Sequence, residues 1–177
     1  MQTTPTSLQI SPTHPEYAKA VLAFELENRR YFEQWIATRG DDYYHEQAVS
    51  ASLQQAQMSA NLQKECHYLA WVGSEIVGRV TLRHIDRVFF HQATLGYRFS
   101  QRHAGQGFAT AAVDIVIQLA VADLHLRRLK AVVAAGNKAS QRIMEKCHFQ
   151  CISRSHATTL LHGKWLDVLH YERRLSP

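Results

Sequence analysis

The sequence predicts an α+β fold in which helices pack on a mixed β-sheet. Two segments with helical periodicity occupy roughly the first third of the chain. From residue 66 onwards the pattern changes to short apolar runs separated by turn residues, which is typical of β-strands. Two further helical segments interrupt these runs, the first of them strongly apolar. The predicted element order is therefore ααβββαβαββ, in one domain over residues 1–177.

Length and composition favour a single soluble domain. With 177 residues, 46% of them hydrophobic, the chain can bury one complete core. It has no run of about 20 apolar residues such as a membrane-spanning helix needs, and its first residues lack a signal-peptide pattern. The three cysteines have no disulfide-framework spacing and suit a reducing compartment. We therefore expect a cytoplasmic protein with no membrane partner, as a monomer or a homodimer.

The net charge of +5 is spread along the chain. Basic residues are not gathered into a tail or stripe, so nucleic acid is not an expected partner. The same charge would attract phosphate-bearing ligands, although a solvated surface is by itself the better explanation of it.

The first predicted helix follows turn residues 11–15 and carries most of its apolar side chains on one face. That face holds Val21, Phe24, Asn28, Tyr31, Phe32 and Trp35. A second face carries Glu25, Arg29 and Glu33 at the spacing of helical ion pairs. Residues 40–42 end this helix, and a second helix is predicted over residues 45–64.

The remaining elements alternate between strands and helices. A hairpin is predicted over residues 68–72 and 76–85, followed by a strand over 93–100 and a helix over 107–123. The apolar residues of that helix recur at helical spacing on most sides, which predicts that it is buried. A strand over 129–134, a helix from 138 to about 147, and strands over 149–159 and 165–173 complete the chain.

The loop between the third strand and the apolar helix has the pattern of an anion site. Gly105 and Gly107 allow successive backbone N–H groups to converge at the helix N-terminus, whose dipole favours negative charge. The small side chains of Ala109 and Thr110 leave room for a phosphate. A tight turn without a ligand is the alternative interpretation.

Two common nucleotide motifs do not match this loop. A dinucleotide-binding motif needs a third glycine where Thr110 stands, and an acidic residue about 20 positions later, where residues 125–128 read His-Leu-Arg-Arg. A Walker loop needs Gly-Lys-Ser/Thr, which does not occur here.

The motifs that do match resemble those of the GNAT N-acetyltransferases. Residues 107–109 supply the second half of the family's Gln/Arg-x-x-Gly-x-Gly/Ala motif, and residues 105–110 look like the version found in the ribosomal-protein (RimJ/RimL) branch. Residues 137–149 resemble the family's second signature, with Asn137, Ser140 and Phe149 matching and His148 standing where glycine is usual. Asn28 and the segment 162–171 resemble the branch's first helix and closing hairpin.

The resemblance implies a mostly antiparallel central sheet, acetyl-CoA as co-substrate and no metal. It implies that the backbone N–H of Phe99 meets the oxyanion and that Ser140 protonates the leaving thiolate, since Met144 stands where many relatives have tyrosine. The implied cofactor-binding residues are Tyr97, Phe99, Ala104, Gly105, Gln106, Gly107, Phe108, Ala109, Thr110, Asn137 and Ser140. Phe32 and Trp35 are candidates for the acceptor groove, although apolar residues at helical spacing are also typical of a core.

The resulting hypothesis is acetyl transfer to a primary amine by direct attack, with a protein N-terminal α-amine as the preferred acceptor. The alternatives are a small amine such as a polyamine or antibiotic, a non-catalytic acyl-CoA-binding module, and a nucleotide-binding oxidoreductase. No general base is predicted. Asn137 as a helix cap and Ser140 as an ordinary first-turn residue remain the structural alternative. Cys147, His148 and Cys151 are too few ligands to predict a metal site.

Overall fold

The computed structural model describes residues 7–176, where a seven-stranded sheet is flanked by four α-helices. The helices are α1 (Ala18–Phe32), α2 (Glu46–Asn61), α3 (Phe108–Ala122) and α4 (Lys138–Lys146). The strands are β1 (Leu8–Pro12), β2 (Cys66–Val72), β3 (Glu75–Asp86), β4 (Gln92–Phe99), β5 (Arg128–Ala134), β6 (Gln150–Leu161) and β7 (Lys164–Arg174). The order βααβββαβαββ confirms the predicted one, with one strand added at the start. None of the helices in the described part could cross a membrane.

The added strand, β1, was not predicted. It pairs antiparallel with β2 along the edge of the sheet, from Leu8 opposite Val72 to Pro12 opposite Tyr68. The interpretation of residues 11–15 as a turn is wrong for the first two, because proline is tolerated at an edge strand where its missing N–H disrupts little pairing. The side chain of Trp71 donates to Ser11 Oγ at 2.9 Å and fixes this edge.

The sheet has the strand order β1-β2-β3-β4-β5-β7-β6. Every neighbouring pair is antiparallel except β4 and β5, which confirms the mixed, mostly antiparallel sheet. The parallel pairing covers only residues 92–94 of β4 against residues 128–130 of β5. Beyond that point β4 pairs with β3 alone and β5 with β7 alone, so the two strands diverge.

Apolar clusters cover both faces of the sheet. On one face α3 is buried as predicted, and Val113, Val116 and Ile117 pack with Leu82 of β3. On the other face α1 and α2 form a smaller cluster that includes Val21. The strong apolar character of α3 thus reflects its position over the centre of the larger core.

Two predictions about α1 need correction. The helix ends at Phe32, and Trp35 lies in the turn that follows, where its N–H donates to the Phe32 carbonyl at 3.0 Å. Glu25 does not pair with Arg29, which bonds to Glu33 instead; the Glu25 side chain is only 1% exposed. Glu25 lies four residues after Val21 and is therefore on the same, buried side of the helix.

Glu25 joins α1 to the sheet through two buried ion pairs. Its carboxylate accepts from Arg79 Nη1 at 2.5 Å and from Arg98 Nη1 at 3.1 Å. Burial alone would raise the pKa of Glu25, but the nearby Arg98 and Arg79 outweigh it and hold the pKa below its usual range. One ionised carboxylate therefore binds two guanidinium groups, one from β3 and one from β4.

The far edge of the sheet, β6, is irregular. Its register against β7 shifts between Cys151 and Ser153 and again between Ser155 and Thr159. At the second shift Ala157 has a positive φ of 49° and donates its N–H to Asp167 Oδ1 at 2.9 Å. Asp167 thus holds the bulged conformation of this strand.

The turn after α4 places His148 in the left-handed region, with φ 59°. The N–H of Phe149 donates to the Met144 carbonyl at 2.9 Å, and that of His148 to the Glu145 carbonyl at 3.0 Å. These bonds form a Schellman motif with histidine at the position where glycine is usual. The chain adopts the helix-ending turn in spite of the substitution, at the cost of backbone strain.

We predict that His148→Gly stabilises the protein by about 0.5–1 kcal/mol, because glycine adopts a positive φ without the clash of a Cβ. Urea unfolding of the purified variant measures this change. His148→Ala is the control, since it removes the ring and keeps the Cβ. Equal stability of the two variants would contradict the assignment of strain to the backbone.

We also predict that Glu25→Gln lowers the free energy of unfolding by about 3–5 kcal/mol, because it leaves two buried arginines without their counterion. Glu33→Gln, at the C-cap of the same helix, weakens a partly exposed pair with Arg29 and should cost under about 1 kcal/mol. Denaturant titrations of both variants make the comparison. A similar small loss in both would show that the buried pairs do not hold α1 on the sheet.

Candidate active site

A cleft of about 420 Å³ opens where β4 and β5 diverge. Its walls come from the end of α1, the middle of β3, the second half of β4, β5 and the start of α4. Among the predicted site residues it is lined by Phe32, Trp35, Tyr97, Phe99, Asn137 and Ser140. The fold therefore brings together residues that are more than 100 positions apart in the sequence.

Backbone N–H groups of β4 point into this opening. The N–H of Ser100 donates to the Val77 carbonyl of β3 at 2.8 Å. Because residues of an antiparallel strand bond to one neighbour alternately, the N–H groups of Tyr97 and Phe99 point away from β3. On that side β5 pairs only as far as Thr94, so both N–H groups face the cleft. The predicted oxyanion donor, the N–H of Phe99, is one of these two.

The Phe99 side chain fixes the end of the strand. Its ring lies over Gly78, directly opposite on β3, where a Cβ would overlap with the ring. Glycine is therefore required at residue 78 for the ring to lie flat on the sheet. This contact holds in place the strand end that carries the Phe99 N–H.

Tyr97 and Ser140 form a hydroxyl pair across the cleft. The Tyr97 hydroxyl lies 2.7 Å from Ser140 Oγ and 3.1 Å from the Ser140 carbonyl oxygen. Burial raises the pKa of Tyr97, and the bond to Ser140 only partly opposes this, so the phenol is protonated at neutral pH. Tyr97 was predicted only as a cofactor contact, and its partnership with Ser140 had no local signal in the sequence.

Asn137 acts as the N-cap of α4, as the structural alternative expected. Its side-chain oxygen accepts from the backbone N–H of Ser140 at 3.1 Å. This cap fixes the first turn of α4 and with it the position of the Ser140 hydroxyl. Asn137 can therefore cap α4 and also take part in the site, because the same hydrogen bond to the Ser140 N–H caps the helix and positions Ser140 at the cleft.

The predicted glycine loop lies beside the cleft and not in its lining. Gly105 and Gly107 have positive φ values of 79° and 84°, and Gly107 is the N-cap of α3. The first helical bond runs from the Ala111 N–H to the Gly107 carbonyl at 3.0 Å, so the N–H groups of residues 108–110 have no intrahelical acceptor. Within residues 7–176 no side chain caps this helix.

The space in front of the loop is open. A Cβ added at Gly105 or Gly107 would meet no atom within 4 Å. Gln106 turns back towards the loop and donates to the Arg102 carbonyl at 3.4 Å, while Ala104 is extended, with φ −62° and ψ 143°. The loop thus presents backbone donors at the positive end of a helix, which is the geometry of an anion site.

The two predicted groove residues differ in position. Phe32 is buried against Phe24 and the Arg98 guanidinium, and it also lines the cleft. Trp35 packs its ring against Gly136, where a Cβ would lie 3.1 Å from the ring. Phe32 therefore belongs mainly to the core, and Trp35 forms part of the cleft wall.

Sequence reasoning missed four arginines in the cleft lining: Arg39, Arg79, Arg83 and Arg98. The signal was present for two of them, because Arg79 and Arg83 interrupt the apolar strand β3 on the same face. Arg98 and Arg39 gave no such signal. Together they make this side of the cleft cationic.

Bases are scarce in the cleft. Among the described residues none of its lining side chains is a carboxylate, and His67 is the one histidine. Burial lowers the pKa of His67, as do Arg79 and Arg83, while the bond to Glu65 raises it. Glu75 lies outside the cleft in an ion pair with Arg102.

Within residues 7–176 there is no group of three or more His, Cys, Asp or Glu side chains placed to hold a metal ion. Cys147 is buried and donates towards the Thr110 carbonyl at 3.7 Å, whereas Cys151 is exposed.

Comparison with known proteins agrees with this architecture. The model of the acetyltransferase (GNAT) domain family matches residues 7–150. The probable N-acetyltransferase YjcK of Bacillus subtilis is 29% identical over 163 residues, which cover 91% of this chain and 90% of the relative. Both matches include the divergent strands and the glycine loop.

Two solved structures share the fold. The ribosomal-protein-S5-alanine acetyltransferase from Vibrio fischeri has a TM-score of 0.91 at 18% identity, covering 98% of this chain and 95% of its own. RimJ of Mycobacterium smegmatis, solved in complex with CoA-disulfide, has a TM-score of 0.89 at 19% identity, covering 96% and 83%. With a family model that spans most of its length, this chain belongs to the GNAT family of N-acetyltransferases.

Proposed function

We propose that this protein transfers the acetyl group of acetyl-CoA to the α-amine at the N-terminus of a protein. The observation that carries the proposal is the cleft between β4 and β5, into which the free N–H groups of Tyr97 and Phe99 open and which Ser140 also lines. Membership of the GNAT family supports the reaction. The CoA-disulfide in the M. smegmatis RimJ structure and the name of the V. fischeri enzyme support the donor and the acceptor.

The glycine loop fits the pyrophosphate of the co-substrate. The free N–H groups of residues 108–110 and the open space at Gly105 and Gly107 suit an anion that approaches the backbone closely. In this proposal residues 104–110 hold the phosphates, and Tyr97, Phe99, Asn137 and Ser140 flank the thioester arm. The co-substrate supplies an activated acyl group, so no nucleophilic side chain is required.

Protein groups then stabilise the two negative charges that develop during transfer, on the carbonyl oxygen and on the departing sulfur. The N–H of Phe99 donates to the carbonyl oxygen as it becomes negative, and it is effective because the strand fixes it in advance. The C–N bond forms, the C–S bond breaks, and the Ser140 hydroxyl donates its proton to the departing sulfur; the attacking nitrogen loses a proton to solvent, and Ser140 regains one from solvent. The Tyr97 hydroxyl, kept protonated by burial, lies 2.7 Å from Ser140 Oγ, and in this proposal it donates to Oγ and leaves the serine proton directed at the sulfur.

None of the described residues that line the cleft is a carboxylate, which favours an α-amine as acceptor. An α-amine has a pKa near 8 and is about one-tenth neutral at pH 7, whereas a lysine amine with a pKa near 10.4 is almost wholly charged. Direct attack needs the neutral form. A cleft whose described lining has no strong base therefore suits the α-amine, which is the more readily deprotonated of the two.

Calorimetric titration with acetyl-CoA, with NAD and ATP as controls, is the first test of this function. We expect saturable binding of acetyl-CoA alone, followed by acetylation of N-terminal peptides detected as a gain of one acetyl group by mass spectrometry. Binding of NAD or ATP in its place, or binding without transfer to any peptide, would refute the proposal.

Gly107→Asp is predicted to abolish acetyl-CoA binding, since it places a carboxylate where the pyrophosphate belongs. Gly163→Asp is a matched control, because Gly163 also has a positive φ, 73°, and open space around its Cβ position, but lies in the β6–β7 turn. The calorimetric titration compares the two. Equal affinity for acetyl-CoA in both variants would show that the glycine loop is not part of the binding site.

Ser140→Ala is predicted to lower kcat by about 100-fold, the scale of a lost general acid, while the affinity for acetyl-CoA stays nearly the same. Ser140→Thr, which keeps a hydroxyl, should retain much of the rate. Tyr97→Phe should lower kcat less than Ser140→Ala, because the serine proton remains but loses its orientation. Steady-state kinetics with saturating acetyl-CoA measure all three, and full turnover by Ser140→Ala would leave Ser140 as an ordinary first-turn residue of α4.

A further inference from the structure

The acceptor side of the cleft carries an excess of positive charge. Arg39, Arg79, Arg83 and Arg98 line it, and within the described residues no carboxylate does. Glu25 lies behind this surface, and its one carboxylate bonds to Arg79 and Arg98. Among the described residues, this one carboxylate bonds to two of the four guanidinium groups.

Two of the arginines have little to balance them. The guanidinium of Arg39 lies 4.5 Å from the centre of the Tyr43 ring, and its buried Nε has no hydrogen-bond partner among residues 7–176. Arg83 is exposed at the far end of the cleft. The pKa of Arg98 is lowered to about 10, and burial is the largest cause. The positive charges of Arg39 and Arg79 also lower it, and the carboxylate of Glu25 acts in the opposite direction.

These arginines are not positioned for the phosphates of the co-substrate. Arg79 and Arg98 point to the face of the sheet that carries α1, where Glu25 binds them. Val80, the neighbour of Arg79 in β3, packs on the opposite face with α3. The glycine loop leads into α3, so the phosphate donors and the arginines belong to different faces.

We propose that the acceptor is an anionic peptide N-terminus, in which acidic residues directly after the first residue pair with the arginines of the cleft. This inference rests on the proposed function and narrows it to a substrate class. It also disfavours polyamines and other polycations, since like charges brought together at a site cost several-fold to many-fold in affinity.

The same charge explains how attack can proceed without a base. A cationic surrounding disfavours the ammonium form and lowers the pKa of the bound amine. The acidic side chains of the peptide bind to the arginines at a distance from that amine. Binding of the acceptor and release of its proton therefore depend on the same surface.

The test compares three peptides that share one N-terminal residue and differ at the next three positions, which are all acidic, all neutral amides or all lysine. Steady-state kcat/KM is measured on the full chain with saturating acetyl-CoA. We expect the acidic peptide to exceed the lysine peptide by about tenfold or more at low salt, and the ratio to fall as ionic strength rises.

Arg39→Glu should reduce the ratio of kcat/KM for the acidic peptide to that for the lysine peptide at least about tenfold. The value for the acidic peptide should fall and the value for the lysine peptide should rise. Arg39→Gln should have an intermediate effect, and the KM for acetyl-CoA should not change in either. Arg30→Glu is the matched control, because it makes the same charge change on the exposed surface of α1 outside the cleft.

The outcomes separate the inference from the function on which it rests. If the neutral or lysine peptide is preferred, or if the ratio is unchanged in Arg39→Glu, the inference of an anionic acceptor is overturned. The proposed function of N-terminal acetylation is then unaffected. Acetylation of free glutamate in preference to putrescine, with no peptide acetylated, refutes the protein acceptor and supports the charge preference. No transfer to any of these amines overturns both.

Discussion

The site depends on one constraint in the sheet: β4 and β5 pair over only three residues and then separate. A parallel pair that continued would satisfy the N–H groups of Tyr97 and Phe99 with β5 carbonyls and would close the cleft. The separation is possible because each strand keeps an antiparallel partner on its other side, β3 and β7. The sheet thus loses a few hydrogen bonds at its centre and gains backbone donors with fixed directions.

The buried Glu25 links this opening to the helical layer. By bonding to Arg79 on β3 and Arg98 on β4, it fixes α1 over the strand that carries the Phe99 N–H. The end of α1 leads directly to Trp35 and Arg39, which form part of the cleft wall. A polar interaction that would be a poor source of stability by itself therefore sets the shape and the charge of the acceptor side.

Local patterns in the sequence predicted the helices, six of the seven strands and the glycine loop, because periodicity and turn chemistry are properties of neighbouring residues. They could not reveal contacts made across the fold. Tyr97 and Ser140 are 43 residues apart and Glu25 and Arg98 are 73 apart, so their pairing depends on topology. The partners of Glu25 were missed for the same reason, since a charge at helical pair spacing has the same pattern whether its partner lies on the helix or on the sheet.

The two outer strands have a further consequence for how the molecule behaves at high concentration. The short strand β1 ends in Pro12, which has no N–H to offer, and β6 is broken by two register shifts and the positive φ of Ala157. Regular, unpaired edges are the templates on which sheets of separate molecules join into aggregates. Within residues 7–176, one edge is short and ends in proline and the other is bulged, so neither offers a neighbouring copy a long, regular ladder to extend.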